Sequence, residues 1–409
     1  MRIFLSCMQS HRKHPIPAVN YWELYFKKGI EESAYEWIEV EGVDWAEGLM
    51  LSFDWTQRSV YCDEKSLKDW RDRTWLQTIS YIKKQHQIKP INLFLSYLYP
   101  KQIEPNAVQE IQALGIPCVN FFCDNVKFFC NLREFAQLPQ EFDCFDLHWV
   151  PEFKAVLKYQ QAGLNFIYAP MPVWIPPVQR TCEHPENYGV SFIGSPDVQR
   201  ESLFAQALKL GASLEIRGPR WSDQVDPVHS TLMPPSQSLW ERLVSQPDFI
   251  AKNGIQAGLW KATYQLRPRT PKSIFQDYVR EPVYGQEYVK VTQQSLVTLG
   301  VNRYDSYAYP FSKPDTYSRL RDIEAPMMGA CYLTEWAEGL DQLYDLGEEI
   351  ETYRTAEEMV EKIRELTANP EKRKRMRCYG QKRALSEHTV AKSLDKISAA
   401  LNLKSNPLV

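Results

Sequence analysis

Short apolar runs alternate along the chain with longer segments whose apolar residues recur at helical spacing. In the first 170 residues, the runs at 2–8, 37–43, 91–99, 116–123, 145–150 and 165–169 predict strands. The segments at 20–30, 69–87, 105–114 and 151–161 predict helices. Because strands and helices alternate with short loops, this pattern predicts a parallel sheet covered by helices on both faces.

A proline-rich stretch, PMPVWIPPV at 170–178, interrupts the alternation and is typical of an extended linker. A second alternation follows at once. It predicts strands at 189–195, 214–221, 296–301 and 330–333, and helices at 196–210, 286–294, 317–328, 355–368 and 371–401. Ser195 is predicted to cap the helix of 196–210, with Pro196 at its first position. The second half is therefore predicted to form another α/β domain.

The length of 409 residues exceeds what one hydrophobic core usually supports, so two domains are expected. We assign residues 1–170 to an N-terminal domain, 171–187 to the linker, 188–389 to a C-terminal domain and 390–409 to a terminal segment. Residues 222–280 fit neither pattern and are interpreted as an insertion in the second domain. Its tryptophans Trp240 and Trp260 are expected to pack the insertion against the core, with a partner surface as the alternative.

Charge and cysteine content narrow the class of protein. The chain has 48 basic and 51 acidic residues and a net charge of −3, so no global basic surface favours nucleic acid or an anionic membrane. Its nine cysteines show no CxxC pair, and we predict reduced, mostly buried thiols. The apolar run at the N-terminus is too short for a signal peptide, and no run approaches the roughly 18 residues that span a bilayer. A cytoplasmic protein without a membrane span is expected.

Neither common phosphate-binding fingerprint is present. The chain contains neither GxGxxG nor GxxxxGK[ST], and it has no Asp-x-Asp pair that would hold a metal against a diphosphate. A phosphate site would then depend on helix N-termini and arginines. The candidates are residues that follow predicted strands of the second domain, namely Gly194, Ser195, Arg200, Gly218, Tyr284, Gly285 and Arg303.

The stretch RLRDIEAPMMGACYLTEWAEGL, at 319–340, contributes the remaining candidates. Arg319 and Arg321 lie near the start of the helix predicted at 317–328, a natural position for a diphosphate in an open α/β sheet. Glu324 would repel phosphate groups, so a hydroxyl pair such as that of a ribose is its expected partner.

Several segments, taken in order, resemble CgeB-like glycosyltransferases, the spore-protein branch of the GT-B clan. They are FIGSPDVQR, LEIRGPRW, PVYGQEYVKV, RDIEAPMMGACYLTE, GEEIETY and NPEKRKRMRCYGQKRALSEHT, with weaker similarity at GIPCVNFFCDN and FDLHWVPE. The resemblance covers roughly residues 189–389, interrupted by the insertion. It implies an α/β fold of the GT-B type, with two Rossmann-like domains facing a central cleft. It also implies a C-terminal helix, here around 390–401, that crosses back to the N-terminal domain.

The same resemblance assigns roles to individual residues. Glu324 matches the glutamate that binds the nucleotide ribose, Gly194 and Arg200 match positions near the diphosphate, and Tyr284 with Gly285 matches the nucleobase region. Many retaining relatives have a second glutamate eight positions before the ribose glutamate, and this chain has Thr316 there. The stereochemical outcome is therefore not predicted.

The expected activity is transfer of a sugar from a nucleoside-diphosphate sugar to an acceptor hydroxyl or amine, without a metal or other cofactor. The donor would be a UDP-, GDP- or dTDP-sugar, with UDP-sugar preferred, and the acceptor and oligomeric state are not predicted. Departure of the diphosphate would be stabilised by Arg200, Arg303, Arg319 or Arg321. Two alternatives remain: a non-catalytic sugar-nucleotide or partner-binding module, and a GT-B epimerase or phosphorylase-like relative.

An inverting reaction would need a base in the first domain to deprotonate the acceptor. Asp124, after the strand predicted at 116–123, is the first candidate and His14 the second, although Asp124 followed by Asn125 is also typical of a simple turn. Ser195 is expected to act as a helix cap and not as a nucleophile. His148 is expected to be a satisfied core histidine, and His388 to be structural.

Overall fold

The computed structural model describes residues 1–9, 17–52, 64–123, 138–221, 270–303 and 316–403, together with the single residues 247, 250, 255 and 259. Apart from these four single residues, the described chain divides into two compact units. The first contains Met1–Trp174 and the residues from Thr389 onward, and the second runs from Ile175 to His388. The chain thus leaves the first unit within the proline-rich stretch and returns to it at Thr389.

The first unit is built on a six-stranded parallel sheet with the order β2-β1-β3-β4-β5-β6. Its strands are β1 (Arg2–Cys7), β2 (Glu36–Ile38), β3 (Leu93–Tyr97), β4 (Cys118–Phe121), β5 (Leu147–Val150) and β6 (Phe166–Tyr168). All residues of β1, β3, β4 and β5 are buried, as expected for parallel strands that are covered on both faces. The predicted parallel sheet is confirmed.

The helices of the first unit are α1 (Pro17–Glu32), α2 (Trp45–Ser52), α3 (Glu64–Ile88), α4 (Pro105–Gln112), α5 (Phe153–Gln161) and, from the end of the chain, α12 (Val390–Ala400). Helix α12 packs on α1 and near β6. Gly29 makes this packing possible, because a Cβ atom there would lie 2.4 Å from Cβ of Val390. The C-terminal helix therefore belongs to the core of the N-terminal unit.

The second unit contains another six-stranded parallel sheet, with the order β12-β11-β10-β7-β8-β9. Its strands are β7 (Tyr188–Ile193), β8 (Glu215–Arg217), β9 (Val279–Arg280), β10 (Ser295–Gly300), β11 (Tyr332–Glu335) and β12 (Glu351–Tyr353). Its helices are α6 (Val198–Lys209), α7 (Gly285–Gln294), α8 (Arg321–Met327), α9 (Leu340–Leu343), α10 (Ala356–Ala368) and α11 (Pro370–Glu387). Both units are Rossmann-like, so the predicted pair of α/β domains is confirmed.

Four sequence predictions about the second unit differ from the structure. Helix α6 is capped by Asp197, whose carboxylate accepts from the Gln199 amide, so the predicted cap at Ser195 is wrong. Strand β9 lies within the range predicted as an insertion, 222–280, and pairs with β8 as the edge of the sheet. The single helix predicted at 371–401 is two helices, because Thr389 caps a new helix after His388. The strand predicted at 330–333 is displaced to Tyr332–Glu335.

The prediction that all cysteines are reduced is also wrong. Cys182 and Cys378 form a disulfide that joins the segment before β7 to helix α11. Among the described residues, five other cysteines are free and buried, as predicted: Cys7, Cys118, Cys123, Cys144 and Cys331. A sequence separation of 196 residues hides the pair from any reading of local spacing. Trp240 and Trp260 lie outside the described residues.

Candidate functional site

The candidate site lies at the edge of the second sheet where the parallel strands have their carboxyl ends. Two loops are pressed together there, after β7 and after β8. The Gly194 amide donates to the Arg217 carbonyl at 2.9 Å, and a Cβ atom on Gly218 would lie 2.2 Å from the Gly194 oxygen. The Trp221 indole donates to the same oxygen at 2.6 Å, while its ring is buried among Phe192, Phe204 and Phe275. Glycine is thus required at position 218, because any side chain there would collide with the Gly194 carbonyl. Trp221 is a core residue.

Two segments meet at this end of the sheet, one after β10 and one before α8. An isolated antiparallel bridge joins Arg303 to Thr316, and the Tyr317 amide donates to the Asn302 carbonyl at 2.9 Å. The residues between Arg303 and Thr316 lie outside the described part of the chain. Thr316 occupies the position where many retaining relatives have a second glutamate, and in this structure it pairs with Arg303 through the backbone.

Asp322 fixes the start of helix α8 from inside the core. It has no exposed surface, and its carboxylate accepts from the side chains of Asn302, Ser318, Tyr332 and Thr334 and from the Arg319 amide at 2.8 to 3.3 Å. Burial raises the pKa of Asp322, and these hydrogen bonds oppose the rise. This network holds the Arg319 to Glu324 turn in a single position at the end of β10.

Arg303 is engaged in an ion pair at the same edge. Its Nε donates to both carboxylate oxygens of Glu335, at 2.8 and 3.1 Å, and its Nη1 donates to the Gln199 carbonyl at 3.0 Å. Burial raises the pKa of Glu335, whereas the charges of Arg303 and Arg200 oppose that rise. The pair ties the ends of β10 and β11 to the start of α6.

Arg319 and Arg200 lie beside this pair. Arg319 donates to the Arg303 carbonyl at 2.5 Å, and its guanidinium lies 4.6 Å from the ring centroid of Tyr317. Arg200 donates to the Ser195 carbonyl at 3.0 Å. The predicted arginines therefore lie together at one edge of the sheet, each held by a main-chain carbonyl.

Arg321, Tyr288 and Glu324 form a second charged cluster. Arg321 and Glu324 are three residues apart on α8 and so share one face of the helix. The Arg321 guanidinium donates to the Ile193 carbonyl and lies 5.4 Å from the ring centroid of Tyr288 on α7. The Tyr288 hydroxyl donates to Glu324 Oε2 at 2.5 Å. Glu324 is only 8% exposed, so this carboxylate is largely buried at the strand ends.

The start of α7 provides open surface next to this cluster. Tyr284 precedes the helix and is 47% exposed. Gly285 has a φ of +53°, and a Cβ atom there would meet no described residue within 4 Å. A left-handed glycine backbone, which has no Cβ, allows a flat group to approach closely.

The first unit contains a buried polar row across four neighbouring strands. Ser6, Ser96, Asn120 and His148 are register partners in sequence across β1, β3, β4 and β5, so their side chains share one face. Ser96 donates to the Val119 carbonyl or to Asn120 Oδ1, at 3.3 and 3.2 Å. Within the described residues, the Ser6 hydroxyl, Asn120 Nδ2 and both His148 ring nitrogens are buried without a hydrogen bond of normal geometry. His148 is a core histidine, as predicted, but no described residue gives its ring a hydrogen bond of normal geometry.

Asp124 and His14, the two candidate bases, lie outside the described residues. His388 is structural, as predicted, since its Nε2 pairs with the Leu343 carbonyl at 2.8 Å and its ring packs edge-on against Tyr344. Within the described ranges, no group of three His, Cys, Asp or Glu side chains could hold a metal ion. No helix in the described part of the chain is long and apolar enough to span a membrane.

Sequence reasoning missed Tyr288, Asp322 and Glu335. Tyr288 lies one turn after Tyr284 in the segment YGQEYVKV, so its position on the same helical face was the available signal. Glu335 follows the apolar strand at 330–333 as Arg303 follows that of 296–301. Pairing of these two ends could be inferred only after the order of strands was known.

Comparison with known proteins agrees with the fold. A family model described as glycosyl transferase-like matches residues 200–399, just under half of the chain. No curated protein sequence matches the chain. Among solved structures, sucrose-phosphate synthase from Thermosynechococcus elongatus has a TM-score of 0.54 at 11% identity, and Anabaena HepE, in complex with UDP, has 0.53 at 12%. A glycosyltransferase from Rickettsia africae has 0.52 at 9% identity. Each alignment covers 98% of this chain and 99% of the other.

The fold is therefore GT-B, with both Rossmann-like units matched over nearly their whole length. Residues 200–399 are thus similar to a glycosyl transferase-like family, and the fold of both units is the one found in GT-B glycosyltransferases.

Proposed function

We propose that this protein transfers a sugar from a nucleoside-diphosphate sugar, with UDP as the preferred nucleotide, to an acceptor hydroxyl or amine, and that it belongs to the CgeB-like branch. The observation that carries this proposal is the cluster of Glu324, Tyr288 and Arg321 at the carboxyl edge of the second sheet. A largely buried carboxylate there suits ribose hydroxyls, and arginines around it suit a diphosphate. UDP in the HepE structure supports the choice of nucleotide.

The arrangement can stabilise the departing group. Negative charge builds on the nucleoside diphosphate as the bond to the sugar breaks, and fixed cations nearby lower that barrier. Arg321 and Arg319 are anchored on main-chain carbonyls, so their positions are set before the donor arrives. Gly194 and Gly218 have no side chains, so the loops after β7 and β8 pack closely at the carboxyl end of the sheet, where their backbone lies near the proposed diphosphate position. Tyr284 and Gly285 offer a surface for the base.

A nucleotide panel tests donor binding. UDP, GDP, dTDP and AMP are added separately to the full chain, and the melting temperature is measured, because a ligand that binds only the folded state raises it. We expect the largest rise with UDP. Absence of a rise with all three diphosphates would contradict the proposed function.

Release of free diphosphate from a UDP-sugar tests transfer. We expect wild type to release UDP slowly, with water as acceptor, and Glu324→Ala to lose most of this activity. Glu338→Ala is the matched control, because Glu338 is an exposed glutamate that follows β11 in the same unit. Tight binding without release would favour a non-catalytic module, and interconversion of UDP-sugars would favour an epimerase.

The base and the absence of a metal remain parts of this proposal. We propose Asp124 as the base, with His14 as second candidate, so Asp124→Asn should abolish transfer while UDP binding is retained. Asp143→Asn, an exposed acid in the same unit, is the control. Activity that persists in excess EDTA would support metal independence, and its loss with recovery by a divalent cation would refute it.

A further inference from the structure

Tyr288 is the residue through which the two charged groups of the cluster are connected. It lies in the first turn of α7 and packs partly buried against Ile193, Val283 and Val291. From this apolar base its hydroxyl reaches Glu324, while Arg321 lies over its ring. One side chain thus contacts both an acidic and a basic candidate for donor binding.

The hydroxyl and the ring make different contacts. The hydroxyl donates to Glu324 Oε2, which restricts the rotation of that carboxylate. The ring face supports the Arg321 guanidinium by a cation–π contact, and the Ile193 carbonyl fixes its other side. Burial and the charge of Glu324 both raise the pKa of Tyr288, so the hydroxyl stays protonated and able to donate.

From this geometry we infer that Tyr288 is a specificity-determining positioning residue: its hydroxyl orients Glu324 toward the ribose hydroxyls of the donor, and its ring holds Arg321 for the diphosphate. The inference rests on the proposed function, since it requires a nucleotide at this edge. Tyr288 needs no contact with the reacting atoms. It acts through the two side chains that it holds, and the two roles can be separated by substitution.

Two variants separate the hydroxyl from the ring. Tyr288→Phe removes only the donor to Glu324 and keeps the ring under Arg321. Tyr288→Leu removes both. Tyr188→Phe is the matched control, because Tyr188 packs in the same apolar cluster and its hydroxyl donates to Glu287 at 3.0 Å, away from Glu324.

The measurement is the dissociation constant of UDP, 3′-deoxy-UDP and UMP for each variant by calorimetry. If the panel above selects GDP, then GDP, its 3′-deoxy analogue and GMP are used. Wild type and Tyr188→Phe should prefer the complete diphosphate to its deoxy analogue by about tenfold, the value of a charged hydrogen bond. Tyr288→Phe should reduce this preference to about twofold and keep the preference for diphosphate over monophosphate. Tyr288→Leu should reduce both preferences.

The outcomes distinguish this inference from the proposed function. If wild type binds no nucleotide, the proposed function fails. If Glu324→Ala loses the ribose preference but Tyr288→Phe keeps it, the donor site stands and the role of Tyr288 is wrong. If Tyr288→Phe weakens UDP and 3′-deoxy-UDP by the same factor, Tyr288 is merely structural and the inference is overturned.

Discussion

Two sets of buried polar residues, one around Asp322 in the second unit and one across the strands of the first, differ in how fully they are hydrogen-bonded. In the second unit, Asp322 at the strand ends is surrounded by hydrogen-bond donors, and Glu335 is paired with Arg303. In the first unit, the row from Ser6 to His148 contains donors and acceptors that have no partner among the described residues. A satisfied network is rigid, whereas unmet polar atoms in a core cost stability. The second sheet edge is therefore preorganised for a charged ligand, and the polar row of the first is a local weakness of its core.

The largest effect that tests this comparison is expected from Asp322→Ala. The substitution leaves the Ser318 and Tyr332 hydroxyls and the Arg319 amide without their acceptor, so we expect a loss of about 3 to 5 kcal/mol in the free energy of unfolding. Asn120→Ala in the polar row should cost only about 1 kcal/mol, because Asn120 Nδ2 already has no acceptor among the described residues. Urea denaturation of both variants measures this difference. Equal losses would contradict the comparison.

The next largest loss in the free energy of unfolding is expected from removal of the disulfide. Cys182 and Cys378 close a loop with a separation of 196 residues within the second unit, which restricts its unfolded state. Reduction, or Cys182→Ser, should lower the free energy of unfolding by about 2 to 4 kcal/mol. The melting temperature with and without dithiothreitol measures this. Wild type should respond to the reductant and Cys182→Ser should not; an unresponsive wild type would show that the bond does not form.

The burial of His148 predicts that the stability of the first unit depends on pH. Burial lowers its pKa from 6.5 to about 4, so folding favours the neutral ring. Stability is then complete above about pH 6.5 and falls as the pH drops toward about 4, by about 2 kcal/mol at about pH 5. His148→Phe should remove this part of the acid sensitivity, as measured by urea denaturation at about pH 7.5 and about pH 5. An identical pH dependence in the variant would show that His148 is not responsible.

The sequence predicts the sheets better than the contacts between side chains. Apolar runs such as 91–99 and 296–301 mark parallel strands directly, because strands buried on both faces are continuously apolar. The same pattern places Gly194, Gly218 and Arg303 at strand ends, where the structure has them. Tyr288 and Glu324 are 36 residues apart, and their contact depends on how α7 and α8 lie on the sheet.

The polar row of the first unit could not be predicted from the sequence. A single serine, asparagine or histidine within an apolar strand is common, so none of its members stands out by itself. Only the register places Ser6 beside Ser96 and Asn120 beside His148. A register shift of one residue would turn each of them to the other face, so neither the row nor its unmet hydrogen bonds could be derived from a strand taken alone.

The smallest changes in the free energy of unfolding are expected for two serines of this row, and the two changes should have opposite signs. Ser6→Ala removes a buried hydroxyl that has no partner in the described part of the chain, so it should raise the free energy of unfolding by up to about 1 kcal/mol. Ser96→Ala removes a hydroxyl that has two acceptors within reach, and it should lower that free energy by about 1 kcal/mol. Both side chains have no exposed surface and both substitutions remove one oxygen atom, so differences in volume cancel. Urea denaturation at neutral pH measures both. If Ser6→Ala destabilises as much as Ser96→Ala, the Ser6 hydroxyl is satisfied in solution, and the contrast between the Asp322 network and the polar row fails at β1.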